Sequence, residues 1–327
     1  MKKYKYNIAI LFLIILLFPW IYFRSKKAFK TFSSFCYSYP REGLVDGVEF
    51  NSIDTFYNDI KNKNMKPSKI TITDLTEQVI YDKQNRQISC LKLVNKTSNK
   101  WVIGLHGWTE NKYLALRLVE HYWLNGYNVL TFDSFAHGKT YGQKTDIGLS
   151  TIKIIDTLIE HLFDQYEVKS IGLIGNSMGA STSVLYGQKG LYKNQIKWII
   201  ADCGFDNIIY QYRHYVSQNI VKQKWWTCTL FFGLKFNRQT KTKQTRYDVV
   251  KDIKKSKMAH YFIHGLNDTF IPYSMSERMY RQKIKGEQEI YSKLWLTPGS
   301  EHVNSIVDHT NEYIKNTLLF SNESENI

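Results

Sequence analysis

The sequence predicts an α/β fold in which a mostly parallel central sheet has helices on both faces. Short apolar runs without alternating polarity recur along the chain, and they are typical of strands buried on both faces. Amphipathic helical stretches lie between most of these runs, and such strand–helix alternation produces parallel sheets. The 327 residues are 43% hydrophobic and 22% charged. This composition supports a sizeable core and excludes a wholly disordered chain or a multi-span membrane protein.

The elements of the predicted core follow one another along residues 69–204 and 257–320. A β-hairpin comes first, formed by residues 70–81 and 87–94 around a polar turn at 82–85. The predicted buried strands are residues 101–105, 127–132, 170–174, 198–201, 261–263 and 291–296. The predicted helices are residues 113–124, 151–163, 180–186, 274–283 and 303–319, and a polar tail follows at 321–327.

Residues 205–256 interrupt this alternation. They contain no evident core strand, many aromatic residues, and 11 Lys and Arg against three acidic residues. Because a structureless loop of this length is uncommon in a compact domain, we expect a helical lid over the carboxyl edge of the sheet. The basic surface of this lid has two interpretations: a face that docks on an anionic bilayer, or an ordinary solvated helical face.

The N-terminal region, residues 1–30, contains an uninterrupted apolar run of 16 residues from Ile8 to Phe23 with basic residues on both sides. As a helix it would be roughly 24 Å long, near the ~30 Å of a bilayer core. We therefore expect an uncleaved single-pass anchor in the cell membrane; the alternative is a cleaved signal peptide, although no small-x-small cleavage site follows. The basic flanks on both sides leave the orientation open. Residues 31–68 are polar and predict a linker.

The formal net charge of +15 is concentrated in residues 1–30 and 205–256, and the rest of the chain sums to zero. This distribution argues against a domain coated with positive charge for nucleic acid, and no nucleic-acid motif is present. The four cysteines lie far apart without a C-x-x-C pair, which argues against a disulfide framework or a structural zinc site.

A candidate nucleophile lies in the sequence Gly175-Asn176-Ser177-Met178-Gly179, between a predicted strand and a predicted helix. A serine on a sharp strand-to-helix turn needs small residues two positions to either side, because the strained backbone passes close to its neighbours. Gly175 and Gly179 meet this need, so Ser177 is predicted to be a nucleophile. The alternative is a glycine-rich turn that carries an ordinary serine.

A nucleophilic serine needs a base held by a third group. Asp268 follows the predicted strand 261–263, and His302 follows the predicted strand 291–296. These positions predict Asp268 as the acid and His302 as the base. The rival acid is Asp202, and the rival bases are His309, His264 and His106.

Acyl transfer also needs backbone N–H donors for an oxyanion. Met178, directly after the serine, would supply one donor. The second would be the N–H of Trp108, in the loop after strand 101–105, where Gly107 permits a turn.

Together these segments resemble the α/β-hydrolase superfamily, in particular the bacterial esterase, monoacylglycerol-lipase and serine-aminopeptidase-like branch, several members of which carry an N-terminal hydrophobic segment. The resemblance covers roughly residues 70–319 and implies an α/β-hydrolase fold with Ser177, Asp268 and His302 as nucleophile, acid and base, without a metal or cofactor. The segments that carry it are His106-Gly107-Trp108, GNSMG at 175–179, HGLNDTFIP at 264–272, SEHVNS at 300–305 and DSFAHGKT at 133–140. The last departs from the D-x-R-G-H-G-x-S pattern of this branch by lacking the Arg and the first Gly, which bears on substrate positioning more than on chemistry.

The predicted function is a membrane-tethered serine hydrolase that cleaves esters with apolar acyl groups, lipids among the candidates, through an acyl-enzyme. An aminopeptidase or acyl-peptidase on the same triad is an alternative, because fold and triad set the reaction type and not the leaving group. A second alternative is a non-catalytic, membrane-bound binding protein on the same fold.

Overall fold

The computed structural model describes residues 2–222, 224–289 and 291–326, with side chains from residue 16 onward. By internal contacts the chain divides into two compact units. The helical unit is Met1–Tyr39 with Ile208–Tyr247, and the core unit is Pro40–Asn207 with Asp248–Ile327. In chain order the helices and strands are α1 (Lys2–Cys36), β1 (Leu44–Val45), β2 (Val48–Glu49), α2 (Ile53–Asn62), β3 (Thr76–Tyr81), β4 (Gln87–Leu93), β5 (Lys100–Leu105), α3 (Leu116–Leu124), β6 (Asn128–Phe132), α4 (Thr151–Gln165), β7 (Ser170–Asn176), α5 (Met178–Lys189), β8 (Ile196–Asp202), α6 (Ile208–Tyr215), α7 (Phe232–Thr240), β9 (Ala259–Gly265), α8 (Ser274–Lys283), β10 (Lys293–Thr297), α9 (Ser305–Asp308) and α10 (Thr310–Glu325).

The core unit is built on an eight-stranded sheet with strand order β10-β9-β8-β7-β5-β6-β4-β3. The six strands from β10 to β6 are parallel, whereas β4 is antiparallel to β6 and β3 is antiparallel to β4. The predicted α/β fold is therefore confirmed, with the predicted hairpin at one edge. Because parallel strands share a direction, the loops after β5, β7, β8, β9 and β10 all emerge at the same edge of the sheet.

The central strands are buried on both faces, which explains why they read as continuous apolar runs. Every residue of β6, β7 and β9 is buried. The ring of Trp198 in β8 stacks on Tyr122 of α3 with centroids 5.3 Å apart. Gly172 makes room for this ring, because a Cβ at that position would lie 2.0 Å from it.

The predicted linker at residues 31–68 is wrong. Helix α1 continues through Cys36, and α2 forms a further helix that begins after Ser52, whose side chain accepts a hydrogen bond from the Thr55 N–H. Within α2, Ile53, Phe56 and Ile60 are buried in the hydrophobic core. Their spacing gives a single apolar stripe on an otherwise polar helix, so the composition of the stretch concealed its amphipathic character.

The predicted polar tail at residues 321–327 is also wrong. Helix α10 continues to Glu325, and the Glu325 carboxylate accepts hydrogen bonds from Lys100 Nζ at 2.6 Å and Ser170 Oγ at 2.8 Å. The Tyr127 hydroxyl donates to the same carboxylate at 3.2 Å. These partners are far away in sequence, so nothing local distinguished the segment from a tail.

The helical unit is held together by aromatic side chains. Phe29 of α1 packs edge-on against Phe236 of α7 with ring centroids 4.8 Å apart, and Phe32 stacks on Phe232 at 5.8 Å. The Tyr212 hydroxyl of α6 donates to Gln244 Oε1 at 2.8 Å. The part of the predicted lid that belongs to this unit is therefore helical. It is shorter than residues 205–256 because residues 205–207 and 248–256 belong to the core unit.

Among the residues with described side chains, no helix is long and apolar enough to span a bilayer. Residues 8–15, half of the predicted anchor, lie outside the part of the chain whose side chains are described. The anchor stays a prediction.

Candidate active site

Ser177 lies on a sharp turn between β7 and α5. Its φ of +51° and ψ of −113° are strained for a residue with a side chain. The Ser177 N–H donates to the Asp202 carbonyl at 2.8 Å, which holds the turn against the end of β8. A Cβ on Gly175 would lie 2.4 Å from the Gly179 carbonyl carbon, and a Cβ on Gly179 would lie 2.2 Å from the Leu105 carbonyl oxygen. Both glycines are therefore required for the close approach that the turn makes.

The structure brings together the three residues predicted as nucleophile, base and acid. His302 lies in the loop after β10 and Asp268 in the loop after β9. The Ser177 hydroxyl donates to His302 Nε2 at 3.0 Å, and His302 Nδ1 donates to Asp268 Oδ2 at 2.6 Å. This hydrogen-bonded series runs from a serine through an imidazole to a carboxylate, which is the arrangement that activates a serine.

Asp268 is held in place by four donors. Its Oδ1 accepts the N–H groups of Phe270 and Ile271 at 2.9 and 2.8 Å, and its Oδ2 accepts His264 Nε2 at 3.1 Å as well as His302. Burial alone would raise the pKa of Asp268, but the hydrogen bonds from His264 and His302 outweigh it and hold the pKa well below its usual range. The carboxylate is therefore charged and can stabilise an imidazolium on His302.

The rival residues are engaged elsewhere. His264 receives the Ser276 hydroxyl on Nδ1 at 2.7 Å and donates from Nε2, so it orients Asp268. His106 donates from Nδ1 to the Gly107 carbonyl and accepts the Ser134 N–H on Nε2, and burial lowers its pKa. His309 contacts the Pro298 carbonyl through Nε2.

Asp202, the rival acid, is fully buried at the end of β8, where its carboxylate interacts with the Tyr313 hydroxyl of α10. Burial raises its pKa to about 6, although attraction to His264 acts against the shift. The His302 imidazole is bonded to Asp268 instead.

One group of three potential metal ligands occurs among the described residues, formed by Cys203, Asp268 and His302 with ligand atoms within 4.8 Å of one another. Asp268 and His302 already share a proton. Burial raises the pKa of the Cys203 thiol far above its usual range, which disfavours the thiolate that a metal would require. The arrangement is therefore better explained by an Asp–His pair than by a metal centre.

The predicted oxyanion donors lie on two segments that meet. Met178 begins α5 directly after Ser177, and the first turn of α5 packs on the end of β5 through Gly179. Trp108 lies in the loop that leaves β5 and is half-buried. That both N–H groups point to one oxyanion stays a prediction.

Comparison with known proteins agrees with this arrangement. The family described as "Serine aminopeptidase, S33" matches residues 96–248. The esterase Pf2001 of Pyrococcus furiosus superposes with a TM-score of 0.63 at 22% identity, over 88% of this chain and 99% of that one. The chain has the α/β-hydrolase fold.

Two curated relatives share sequence with this chain. The uncharacterized protein YqkD of Bacillus subtilis (strain 168) is 27% identical over 221 residues, which are 67% of this chain and 70% of YqkD. The monoglyceride lipase of Saccharomyces cerevisiae is 30% identical over 104 residues, which are 30% of this chain and 33% of that protein.

A largely buried carboxylate, which no sequence pattern identified, ties the loop after β5 to the serine turn. Glu110 accepts the Gly107 N–H at 2.7 Å, the Asn176 side-chain amide at 2.9 Å and the Arg117 guanidinium at 2.7 Å. Burial would raise the pKa of Glu110, but Arg117 and these hydrogen bonds lower it to about 2. Arg117 also pairs with Asp59 of α2. In the sequence, Glu110 is marked only by its position three residues after Gly107, a spacing that is typical of a turn.

The segment that departs from the family pattern, residues 133–140, supports the same loop. The His137 ring contacts two backbone carbonyls, and the shorter contact joins Nε2 to the Trp108 carbonyl at 2.6 Å. Burial lowers the pKa of His137 to about 3, so the ring is neutral. Asp133 accepts the Lys112 and Lys139 N–H groups at 2.9 and 3.0 Å. A Cβ on Gly138 would lie 2.1 Å from Asp133 Oδ2, so this second glycine of the pattern is required.

An arginine from elsewhere in the chain holds this segment of the α/β hydrolase. The Arg41 guanidinium donates to the carbonyls of Gly138 at 2.9 Å, Thr140 at 2.6 Å and Gly142 at 2.8 Å. The family pattern has its own arginine in this segment, and here the segment is cross-linked by an arginine nearly a hundred residues earlier.

Proposed function

We propose that this α/β hydrolase is a serine hydrolase that cleaves carboxylic esters through an acyl-enzyme. The observation that carries the proposal is the hydrogen-bonded series from Ser177 Oγ through His302 to Asp268, with distances of 3.0 and 2.6 Å. Its placement at the strand ends of an α/β-hydrolase sheet supports the same assignment.

In the proposed mechanism, His302 takes the Ser177 proton as Oγ attacks the ester carbonyl. Asp268 keeps the imidazole in the correct tautomer and stabilises its positive charge. The N–H groups of Met178 and Trp108 receive the developing oxyanion. His302 then protonates the departing alkoxide, and in the second half-reaction it activates the water that releases the acid.

Small esters with apolar acyl groups are the proposed substrates. The esterase and monoglyceride lipase named above act, by their names, on ester bonds. An aminopeptidase or acyl-peptidase is the second candidate, favoured by the family description that matches residues 96–248. Because the same triad serves both bond types, we would compare acyl esters with aminoacyl and acylaminoacyl amides. Efficient amide cleavage with failure on esters would select the second candidate.

The test of the activated serine is labelling of the full-length chain with a fluorophosphonate probe, with the adduct located by mass spectrometry. We expect an adduct on Ser177 that Ser177→Ala and His302→Ala both abolish. Ser274→Ala changes an exposed serine at the start of α8 and should label like the wild type. A folded wild-type chain that does not label would contradict the proposal and favour the non-catalytic binding protein.

We also propose that residues 8–23 anchor the chain in the cell membrane. The support is the uncharged apolar run with interfacial Trp20 and Tyr22 and basic flanks. The expressed chain should stay in the membrane fraction after alkaline extraction, and its intact mass should include residue 1. An intact mass that corresponds to a chain starting after residue 23 would instead show a cleaved signal peptide.

A further inference from the structure

The charge of the protein is divided unequally between the two units. Residues 1–39 and 208–247 contain 15 Lys and Arg and not one Asp or Glu. The net charge of the helical unit is therefore +15, equal to that of the whole chain, so the core unit sums to zero. Mixed surfaces are the norm for soluble domains, and an acid-free unit of 79 residues indicates a partner with dense negative charge.

The same unit exposes large apolar side chains. It holds 21 of the 49 aromatic residues of the chain. Trp225 and Trp226 are 41% and 43% exposed in the segment between α6 and α7, and Leu234 of α7 is 67% exposed. On α1, Leu16 and Phe23 are 62% and 66% exposed. Exposed apolar side chains at this density mark an interaction surface.

Ring contacts within the helical unit connect α1 to the segment before α7. Phe231 packs against Phe18 and Tyr22 of α1 with ring centroids 5.9 and 6.0 Å apart, so the apolar part of α1 is continuous with the start of α7. The guanidinium of Arg213 lies 4.2 Å from the centre of a Trp225 ring.

Basic side chains lie beside the exposed tryptophans. Lys222 and Lys224, both exposed, line a groove together with Trp225 and Trp226. Phe29 packs on Phe232 and Phe236 in the same unit.

We propose that the helical unit is a docking surface for an anionic lipid bilayer. Tryptophan is enriched at the level of lipid headgroups, and lysines next to the bilayer are attracted to anionic headgroups by about 1 kcal/mol each. Exposed leucines at 16, 17, 230 and 234 favour lipid over nucleic acid, because they can enter the acyl boundary and cannot pair with a phosphate backbone. This inference stands independently of the proposed hydrolysis.

The test is flotation of the full-length chain with phosphatidylcholine vesicles, with and without added phosphatidylglycerol, at low and high salt. We expect binding at least tenfold tighter to the anionic vesicles at low salt, and most of this preference should disappear at high salt. Lys222→Ala with Lys224→Ala should weaken binding to the anionic vesicles by about tenfold to thirtyfold. Trp225→Ala with Trp226→Ala should weaken binding to both compositions.

The matched control is Lys66→Ala with Lys69→Ala, which removes the same charge from exposed sites on the core unit. It should change binding less than twofold. Because residues 8–23 would hold every variant on either vesicle if they insert, docking of the helical unit is also measured as the difference in quenching by brominated lipid between the wild type and Trp225→Phe with Trp226→Phe. This difference should be larger with the anionic vesicles, and its absence with both compositions would overturn the proposal. Thermal unfolding checks the fold, and Trp225→Phe with Trp226→Phe should keep the affinity while reducing fluorescence quenching by brominated lipid.

Three further results would overturn the proposal. Equal binding to the two vesicle compositions would show that attraction to anionic lipid does not contribute to binding. Equal losses in the Lys222/Lys224 and Lys66/Lys69 variants would show a dependence on net charge alone and not on this surface. Tighter binding to an oligonucleotide than to anionic vesicles at the same salt would assign the unit to nucleic acid.

Discussion

Glu110 connects two segments of the candidate site. Its carboxylate joins the Gly107 N–H of the β5 loop to the side chain of Asn176, which precedes the serine. The loop carries Trp108, whose N–H is a proposed oxyanion donor. Glu110 is therefore a positioning residue for the proposed reaction.

Replacing Glu110 with glutamine should lower kcat for a short acyl ester by about tenfold to a hundredfold, with KM changed less than threefold. The amide NH2 of glutamine faces a donor in either orientation, Arg117 on one side or Gly107 and Asn176 on the other, so the loop loses its alignment. One misplaced oxyanion donor costs up to about a thousandfold. Steady-state kinetics measures both constants. Glu167→Gln changes an exposed glutamate and should match the wild type. An unchanged kcat in Glu110→Gln would assign a purely structural role to the network.

Asp202 makes the stability of the core depend on pH. Burial raises its pKa from an ordinary value of 3.8 to about 6, so the native state holds this proton more tightly than the unfolded state does. The stabilisation from the protonated acid is complete below about pH 4 and is lost as pH rises to about pH 6.

Asp202→Asn should therefore gain stability relative to the wild type as pH rises from about pH 4 to about pH 8, by up to roughly 3 kcal/mol. Urea unfolding at the two pH values measures this difference. Asp164→Asn alters an exposed aspartate and should show no such change between the two conditions. A gain that is the same at both pH values would mean that the Asp202 carboxyl does not titrate in this range.

At the scale of elements, α2 shows why a polar stretch can still be part of the core. Only Ile53, Phe56 and Ile60 of its ten residues are buried. Asp59 on the same helix pairs with Arg117, so α2 also supports the network of Glu110.

Phe56→Ala should destabilise the protein by about 3–5 kcal/mol, because it removes a fully buried ring from the core cluster. The free energy of unfolding from urea titration measures this loss. Asn58→Ala, on the exposed side of α2, should stay within about 0.5 kcal/mol. If residues 31–68 behaved as a linker in solution, the two variants would be equally mild.

At the scale of the whole molecule, helix α10 is tied to the central strands of the core unit. Glu325 accepts hydrogen bonds from Lys100 of β5 and Ser170 of β7, and from Tyr127 just before β6. One carboxylate therefore connects the C-terminal helix to three adjacent strands, at the edge opposite to the serine turn because Lys100 and Ser170 are the first residues of their strands.

Glu325→Gln should lower the free energy of unfolding by about 1–3 kcal/mol, because charge-assisted hydrogen bonds of a largely buried carboxylate are lost. Glu323→Gln on the same helix changes a half-exposed pair with Lys293 and should cost less than about 1 kcal/mol. Denaturant unfolding compares them. Equal effects of the two variants would mean that the C-terminal turn is not docked in solution.

The sequence by itself determined the features that depend on neighbours along the chain. Strands buried on both faces read as apolar runs, and Ser177 between Gly175 and Gly179 marks a strand-to-helix turn. Asp268 and His302 each follow a strand end, so a parallel sheet brings them to one edge without further information.

Only the tertiary structure decided the features that depend on distant partners. In the folded chain His302 is hydrogen-bonded to Asp268, whereas Asp202, at the end of the neighbouring strand, is buried against Tyr313. The tertiary structure also pairs Glu110, Arg41 and Glu325 with hydrogen-bond partners that no local sequence pattern identifies. The physical reason is that hydrogen bonding depends on distance and direction in space, whereas periodicity and spacing report only on neighbours along the chain.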